Sequence, residues 1–334
     1  MLRRALFALL ACAAVVLPGT APPADAQQTR TLRIATLAPR GTPLIKALKQ
    51  WDRLLRKQSD GRVRLRIYAG GSAGDEKVVV RKMRAGQLDG GIVTVTGLGF
   101  IARQSLVLAA PGVIRDYDQL DRVRKAMEDD FDRIFENQGY VLMGWGDAGR
   151  TRLFSKKRIV RPRDLKSARP WVWTDNPVMV EFVRTIGANG VRLGVPEVYP
   201  GLQTGMIDTV TASALTAVGL QWFTRLDYVT EETSGVIVGA MVIRKDKFDA
   251  LDQKDRELIR VTSRIGNDEM RDGARRMDTR AYRALVSRGI ERVKVGKYQS
   301  EWEAVAKKTR DKLAGRLYPK SLLRRVQRLA GRGG

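Results

Sequence analysis

From Thr31 onward the chain alternates between stretches of strand periodicity and stretches of helical periodicity, and no other feature restricts its fold so far. Residues 32–36 alternate between two faces in the period of two that marks a strand. The run Ala38-Pro39-Arg40-Gly41-Thr42-Pro43 is a turn that opens a helix over 44–59. Residues 63–68 alternate again, with Val63, Leu65 and Ile67 opposite Arg64, Arg66 and Tyr68. A glycine-rich loop at 70–74, a helix over 76–85 and a short apolar strand over 91–95 follow. Such alternation implies an α/β domain with a mostly parallel sheet. Glycines between a strand and a helix can cradle phosphate. No G-x-G-x-x-G spacing or Walker lysine accompanies them here, so the loop reads as a sharp turn.

The pattern continues with a helix over 117–137 and a strand at 140–145, and near Arg152 the chain crosses into a second lobe. That lobe holds Trp171-Val172-Trp173, a helix over 177–186, a strand near 191–193, a helix over 198–204, a strand over 206–211 and a helix near 215–224. The apolar run 236–243 returns to the first lobe, and charged helices are expected over 252–289 and 299–314. The expected division is 27–152 with 242–285 as one lobe, 153–241 as the other, and 286–334 as a C-terminal helical segment. More than one crossing makes a hinge, here near Arg152 and Val242, with a ligand in the cleft between the halves. Sites in such folds sit at the carboxyl ends of strands. The places to look therefore follow Thr36, Thr94, Trp145, Trp173 and Thr211.

Composition removes several function classes. There is no histidine, so the commonest general base and zinc ligand are missing. The single cysteine, Cys12, falls in an N-terminal segment with the marks of a secretory signal. Arg3 and Arg4 precede an apolar run to Leu17, and small residues end in Ala24-Asp25-Ala26, an A-x-A cleavage site that makes residues 1–26 a signal peptide and the mature chain periplasmic. Carboxylate neighbours such as Asp129-Asp130 and Glu231-Glu232 point to different faces, as solvated charges do. The chain is expected to be no enzyme and to need no cofactor. Its formal net charge of +25 would suit a polyanion. The arginines, however, are scattered among acids and apolar residues without the aromatic platforms that single-stranded nucleic acid needs, so no nucleic-acid partner is expected.

Several stretches resemble the solute-binding proteins of tripartite ATP-independent periplasmic (TRAP) transporters. Tyr68-Ala69-Gly70-Gly71-Ser72-Ala73-Gly74-Asp75-Glu76 is similar to that family's Y-P-G-G-x-L-G element, Pro162-Arg163-Asp164-Leu165-Lys166 to its P-x-D-L-K-G turn, and Gly187-Ala188-Asn189 to its G-A-N. The stretch from Glu197-Val198-Tyr199 to Asp208 resembles its E-V-Y-x-A-L-Q-x-G-x-x-D. The resemblance implies a two-lobed periplasmic binding protein fold, a small organic ligand in the cleft, and TRAP membrane subunits as partners. Residues 35–42 and Gln221-Trp222 also look like a subgroup associated with a tetratricopeptide-repeat partner and with hydrophobic, lipid-like ligands.

Two departures from the family pattern bear on the ligand. Acid-binding members carry an arginine shortly after the D-L-K-G turn that clamps the ligand carboxylate with its planar fork. Trp171 stands there, and Ala212 stands where an asparagine would line the cleft. The resulting expectation is a cleft walled by Trp171 and Trp173, with Trp145 and Trp222 among its lining, Ala212 in the asparagine's place, and Thr36, Thr94 and Thr211 as hydrogen-bonding groups. Such a pocket favours a hydrophobic or aromatic ligand, a lipid or fatty acid among them. The alternative is an organic carboxylate held by a displaced arginine, with Arg150, Arg152 and Arg169 as candidates.

Overall fold

The structure is a computed structural model, and it describes residues 29–331. The signal sequence expected at 1–26 lies outside the described residues. In chain order the elements are β1 (Arg30–Thr36), α1 (Pro43–Gln58), β2 (Val63–Tyr68), α2 (Glu76–Arg84), β3 (Gly90–Thr94), α3 (Val95–Ile101), α4 (Tyr117–Ala126), α5 (Glu128–Glu136) and β4 (Tyr140–Ser155). There follow β5 (Trp171–Trp173), α6 (Pro177–Ile186), β6 (Val191–Leu193), α7 (Val195–Thr204), β7 (Thr209–Ala212), α8 (Ala214–Gly219), β8 (Tyr228–Thr230) and β9 (Gly235–Arg244). The chain ends with α9 (Lys245–Asp249), α10 (Gln253–Ser287), β10 (Glu291–Val293), α11 (Gln299–Leu313) and α12 (Lys320–Leu329).

One sheet runs through both lobes in the order β10-β8-β4-β9-β3-β1-β2, with β7 also on β4, and β5-β6 form a separate pair. β1 pairs in parallel with β2 and β3, as the strand and helix alternation requires. The sheet is nonetheless mixed, not mostly parallel, because β9 runs antiparallel to β3 and β4 runs antiparallel to β9, β7 and β8. The 16-residue β4 causes this. Its first half pairs with β9 as part of the first lobe, and its last residues pair with β7 and β8 in the second.

The first-lobe sheet is covered on both faces. Val79, Val80 and Met83 of α2, Leu98 of α3 and Phe135 of α5 pack with Ala35, Val93, Ala240 and Val242. Leu55 of α1, Phe248 of α9 and Ile259 of α10 pack with Leu32, Ile34, Val141 and Ile243. The second lobe centres on Phe154, Val210 and Val229, with Trp171, Val198, Leu202 and Trp222 around them. The apolar run 236–243 belongs to β9, whose pairing with β4 starts at Gly235, seven residues ahead of the expected boundary at 242.

The elements after β9 pack on both lobes. The 35-residue α10 spans about 52 Å at 1.5 Å per residue. Near its start the Trp51 indole donates to Thr262 Oγ1 at 2.9 Å, tying it to α1. Near its end Leu285 packs in the second-lobe core, and Asp278 accepts from the Leu215 backbone at the start of α8. β10 joins the second-lobe edge beside β8, while α12 returns Leu323 and Val326 to Val123, Met127 and Phe131 of the first lobe. The helix expected over 117–137 is two helices that meet at the fully buried Met127, whose φ of −125° breaks the first.

Candidate functional site

A cavity of about 1270 Å³ lies between the lobes. Of the nine expected site residues, eight line it: Thr36, Thr94, Trp145, Trp171, Trp173, Thr211, Ala212 and Trp222. They converge because Thr36 and Thr94 end parallel first-lobe strands while β5 and β7 present their residues from the second lobe. The strand period of two puts Trp171 and Trp173 on one face, where their rings stack at 6.1 Å. Trp222 meets Trp171 edge to face at 5.3 Å. Each of the first two indoles has a partner for its N–H, since Trp171 donates to Leu193 O at 3.0 Å and Trp173 to Asp75 Oδ2 at 2.9 Å.

The two threonines differ in what they offer a ligand. Thr36 Oγ1 accepts from the Ala38 backbone at 3.3 Å and keeps its own proton to give. Thr94 Oγ1 already donates to Glu76 Oε2 at 2.8 Å, and its backbone N–H reaches Glu76 Oε1 at 2.7 Å. Glu76 also accepts from the Gly97 backbone, yet its burial outweighs these donors and pushes its carboxyl up to about 7. Glu76 borders the cavity as a group able to hold a proton near neutrality, and sequence reading missed it because its burial depends on the packing of α2 against α3.

The arginines are placed differently from expectation. Arg150 does not line the cavity: its guanidinium lies over the Tyr117 ring at 5.5 Å and its backbone N–H donates to Asp278. A bulge in β4 between Asp147 and Arg150 shifts the register there, so counting along the strand cannot assign its face. Arg152 is buried against the Tyr282 ring and donates to the carbonyls of Thr230 and Glu231. Arg169 is mostly exposed and lies 3.4 Å from Asp208. Among the described residues the arginines that line the cavity are Arg115 and Arg271. Arg115 pairs with Glu303 of α11. Arg271 contacts Asp268 at 2.9 Å, while its buried Nε lies 3.6 Å from Asp272 and makes no hydrogen bond. Its position on the cavity face of α10 could be inferred only once that helix was known to bridge the lobes.

Behind Trp145 sits a buried charge network. Asp147, with no exposed side chain, contacts Arg124 at 2.7 Å and Arg275 at 2.7 Å, and Arg275 also donates twice to Asp121. Burial lowers the Arg124 pKa despite Asp147, whereas Asp121 and Asp147 overcome burial to hold that of Arg275 above its ordinary value. Arg124 lies 5.1 Å above the Trp145 ring, and Phe131 meets that ring edge-on. These contacts position Trp145 as a rigid wall. Among the described residues, no cluster of acidic, cysteine or histidine side chains could hold a metal, and no helix is long and apolar enough to cross a membrane.

Residues 34–316 match the family model for bacterial extracellular solute-binding proteins, family 7. A solute-binding protein of Chromohalobacter salexigens is 22% identical over 235 residues, which is 70% of this chain and 70% of that one. A TRAP periplasmic solute-binding protein of Ralstonia eutropha, solved with (S)-2-acetolactate, superposes with a TM-score of 0.84 at 19% identity, covering 90% of this chain and 98% of that one. One from Citrobacter koseri, solved with D-glucuronate, gives a TM-score of 0.79 at 23% identity, covering 89% and 99%. With a crossover strand, a bridging helix and an interlobe cavity already in place, these matches make the chain a member of family 7 of the bacterial extracellular solute-binding proteins, the periplasmic receptors of TRAP transporters.

Proposed function

We propose that this protein captures an organic acid with a sizeable apolar body in the interlobe cavity and delivers it to TRAP membrane subunits. In this reading the chain is exported by a signal sequence ending near Ala26. The observation that carries it is that Trp171, Trp173, Trp145, Met270 and Met277 line the same cavity as the Arg271 guanidinium. A carboxylate would pair well with that guanidinium, since hydrogen bonds between ionised partners are the strong ones. The ligands of the acetolactate and glucuronate receptors are organic acids, which favours a displaced arginine over a ligand with no charge. The displaced arginine is then Arg271, not Arg150, Arg152 or Arg169.

A purely hydrophobic ligand, lipid or fatty-acid tail included, is the second reading. The cavity's size favours it, because small-molecule sites usually measure about 300–1,000 Å³. Native mass spectrometry of the purified protein, with identification of whatever small molecule is extracted on denaturation, tests both. A carboxylate whose affinity falls at least tenfold in Arg271→Gln supports the first reading. A neutral apolar molecule, lost in Trp171→Ala but retained in Arg271→Gln, replaces it with the second. A tetratricopeptide-repeat partner belongs with the second reading and is tested by co-purification from the native periplasm.

A further inference from the structure

We infer that Asp75 is an interlobe latch, a carboxylate of the first lobe that holds the second lobe closed over the cavity by gripping Trp173. Its two oxygens do separate work. Oδ1 accepts from the Glu76 backbone at 2.7 Å and caps α2, which fixes the carboxylate on its own lobe. Oδ2 faces the other lobe and accepts from Trp173 Nε1 at 2.9 Å and from the Val195 backbone N–H at 3.0 Å. The approach depends on Gly194, because a Cβ there would come within 2.9 Å of Oδ2.

Two further contacts join the same pair of segments. Asn176 uses its Oδ1 to cap α6, accepting from Val178 and Met179, and its Nδ2 donates to Thr96 Oγ1 of the first lobe at 2.8 Å. Lys77 and Asp175 form an exposed ion pair at 2.8 Å. Residues 75–77 and 96 are thereby matched with residues 173–176 and 195 along one rim of the cavity. The lobes cannot part without breaking all three contacts. The exposed pair adds little, whereas the buried Asn176 contact and the bond to the charged Asp75 acceptor are the stronger ones.

Trp173 also lines the cavity, so one side chain both contacts the ligand space and senses closure. A ligand that leaves Trp173 in place is compatible with the latch, and one that displaces the indole opens it. This makes Asp75 and Trp173 selective for the shape of the ligand at that wall, whatever ligand is held.

The test is the distribution of distances between the lobes, read by pulsed electron paramagnetic resonance on protein unfolded, washed free of any co-purified molecule and refolded, with no ligand added. Nitroxides on Gln87→Cys and Arg192→Cys, both exposed, label the two lobes, and the sole native cysteine, Cys12, falls within the segment read as the signal sequence. Trp173→Phe keeps an aromatic ring and the α2 cap but removes the N–H, and should shift the closed-to-open ratio by about tenfold, as loss of a hydrogen bond to a charged acceptor does. Asp75→Ala with Asn176→Ala should remove the short-distance component. A distribution identical in the unmutated protein and Trp173→Phe overturns the latch, and does so even if the double variant fails to fold. Because the measurement uses no ligand, it stands or falls apart from the ligand assignment.

Discussion

Replacing Asp147 by alanine should be among the most costly single changes in this protein. Its carboxylate has no exposed surface and serves two guanidinium groups, Arg124 at 2.7 Å and Arg275 at 2.7 Å. The two arginines do not depend on it equally. Arg275 keeps two bonds to Asp121, at 2.6 and 2.7 Å, and is partly exposed. Arg124 is nearly as buried as Asp147, and its remaining hydrogen bond is to Gly146 O at 3.1 Å. Removing one partner of a buried pair leaves the other charge uncompensated and costs about 3–5 kcal/mol. At about 2.1 cal/mol/K of unfolding entropy per residue, that is a fall in Tm of about 4–7 °C for a chain of this size. The double variant Arg124→Met with Asp147→Leu removes both charges, and should lie within about 2 kcal/mol of the parent, since well-packed apolar replacement of a buried pair is often near neutral. Urea unfolding followed by tryptophan fluorescence and far-ultraviolet circular dichroism measures both. A cost below about 1 kcal/mol for Asp147→Ala, or a double variant as unstable as the sum of its singles, would refute the assignment of Arg124 to Asp147.

Three other outcomes follow from the same geometry. Gly149→Ala forces a Cβ to within 2.5 Å of Asp278 at a φ of +101°, so thermal unfolding should show a loss of about 1–3 kcal/mol or more. Trp222→Ala empties a fully buried site against Trp171 and should cost about 3–5 kcal/mol in the same assay, together with whatever ligand affinity Trp171 confers. Glu76 has a folded pKa of about 7, above its unfolded value, so the folded state holds the extra proton and stability falls as pH rises from about 4.5 to 7. At ~1.4 kcal/mol per unit the loss is ~3 kcal/mol, and a pH series of urea midpoints should show this slope flattened in Glu76→Gln.

The sequence by itself determined the class of fold through short-range periodicity, and eight of the residues it singled out, some through the family resemblance, line the cavity. Period two in residues 63–68 and in Trp171-Val172-Trp173, and turns ahead of helical stretches, need no partner to be recognised. The rule that sites follow strand ends then brought Thr36, Thr94 and Thr211 to one cleft. Tertiary structure alone decided which charged groups face that cleft. A bulge between Asp147 and Arg150 changes the face each residue of β4 presents, and a bulge is set by what the partner strand offers. The roles of Arg271, Glu76 and Asp75 likewise come from elements far apart in the chain: α10 crossing both lobes, α2 packed on α3, and β5 reaching back to the first lobe. A carboxylate's protonation and whether a guanidinium faces a cavity depend on burial and on elements far away in the chain, and local spacing carries no record of either.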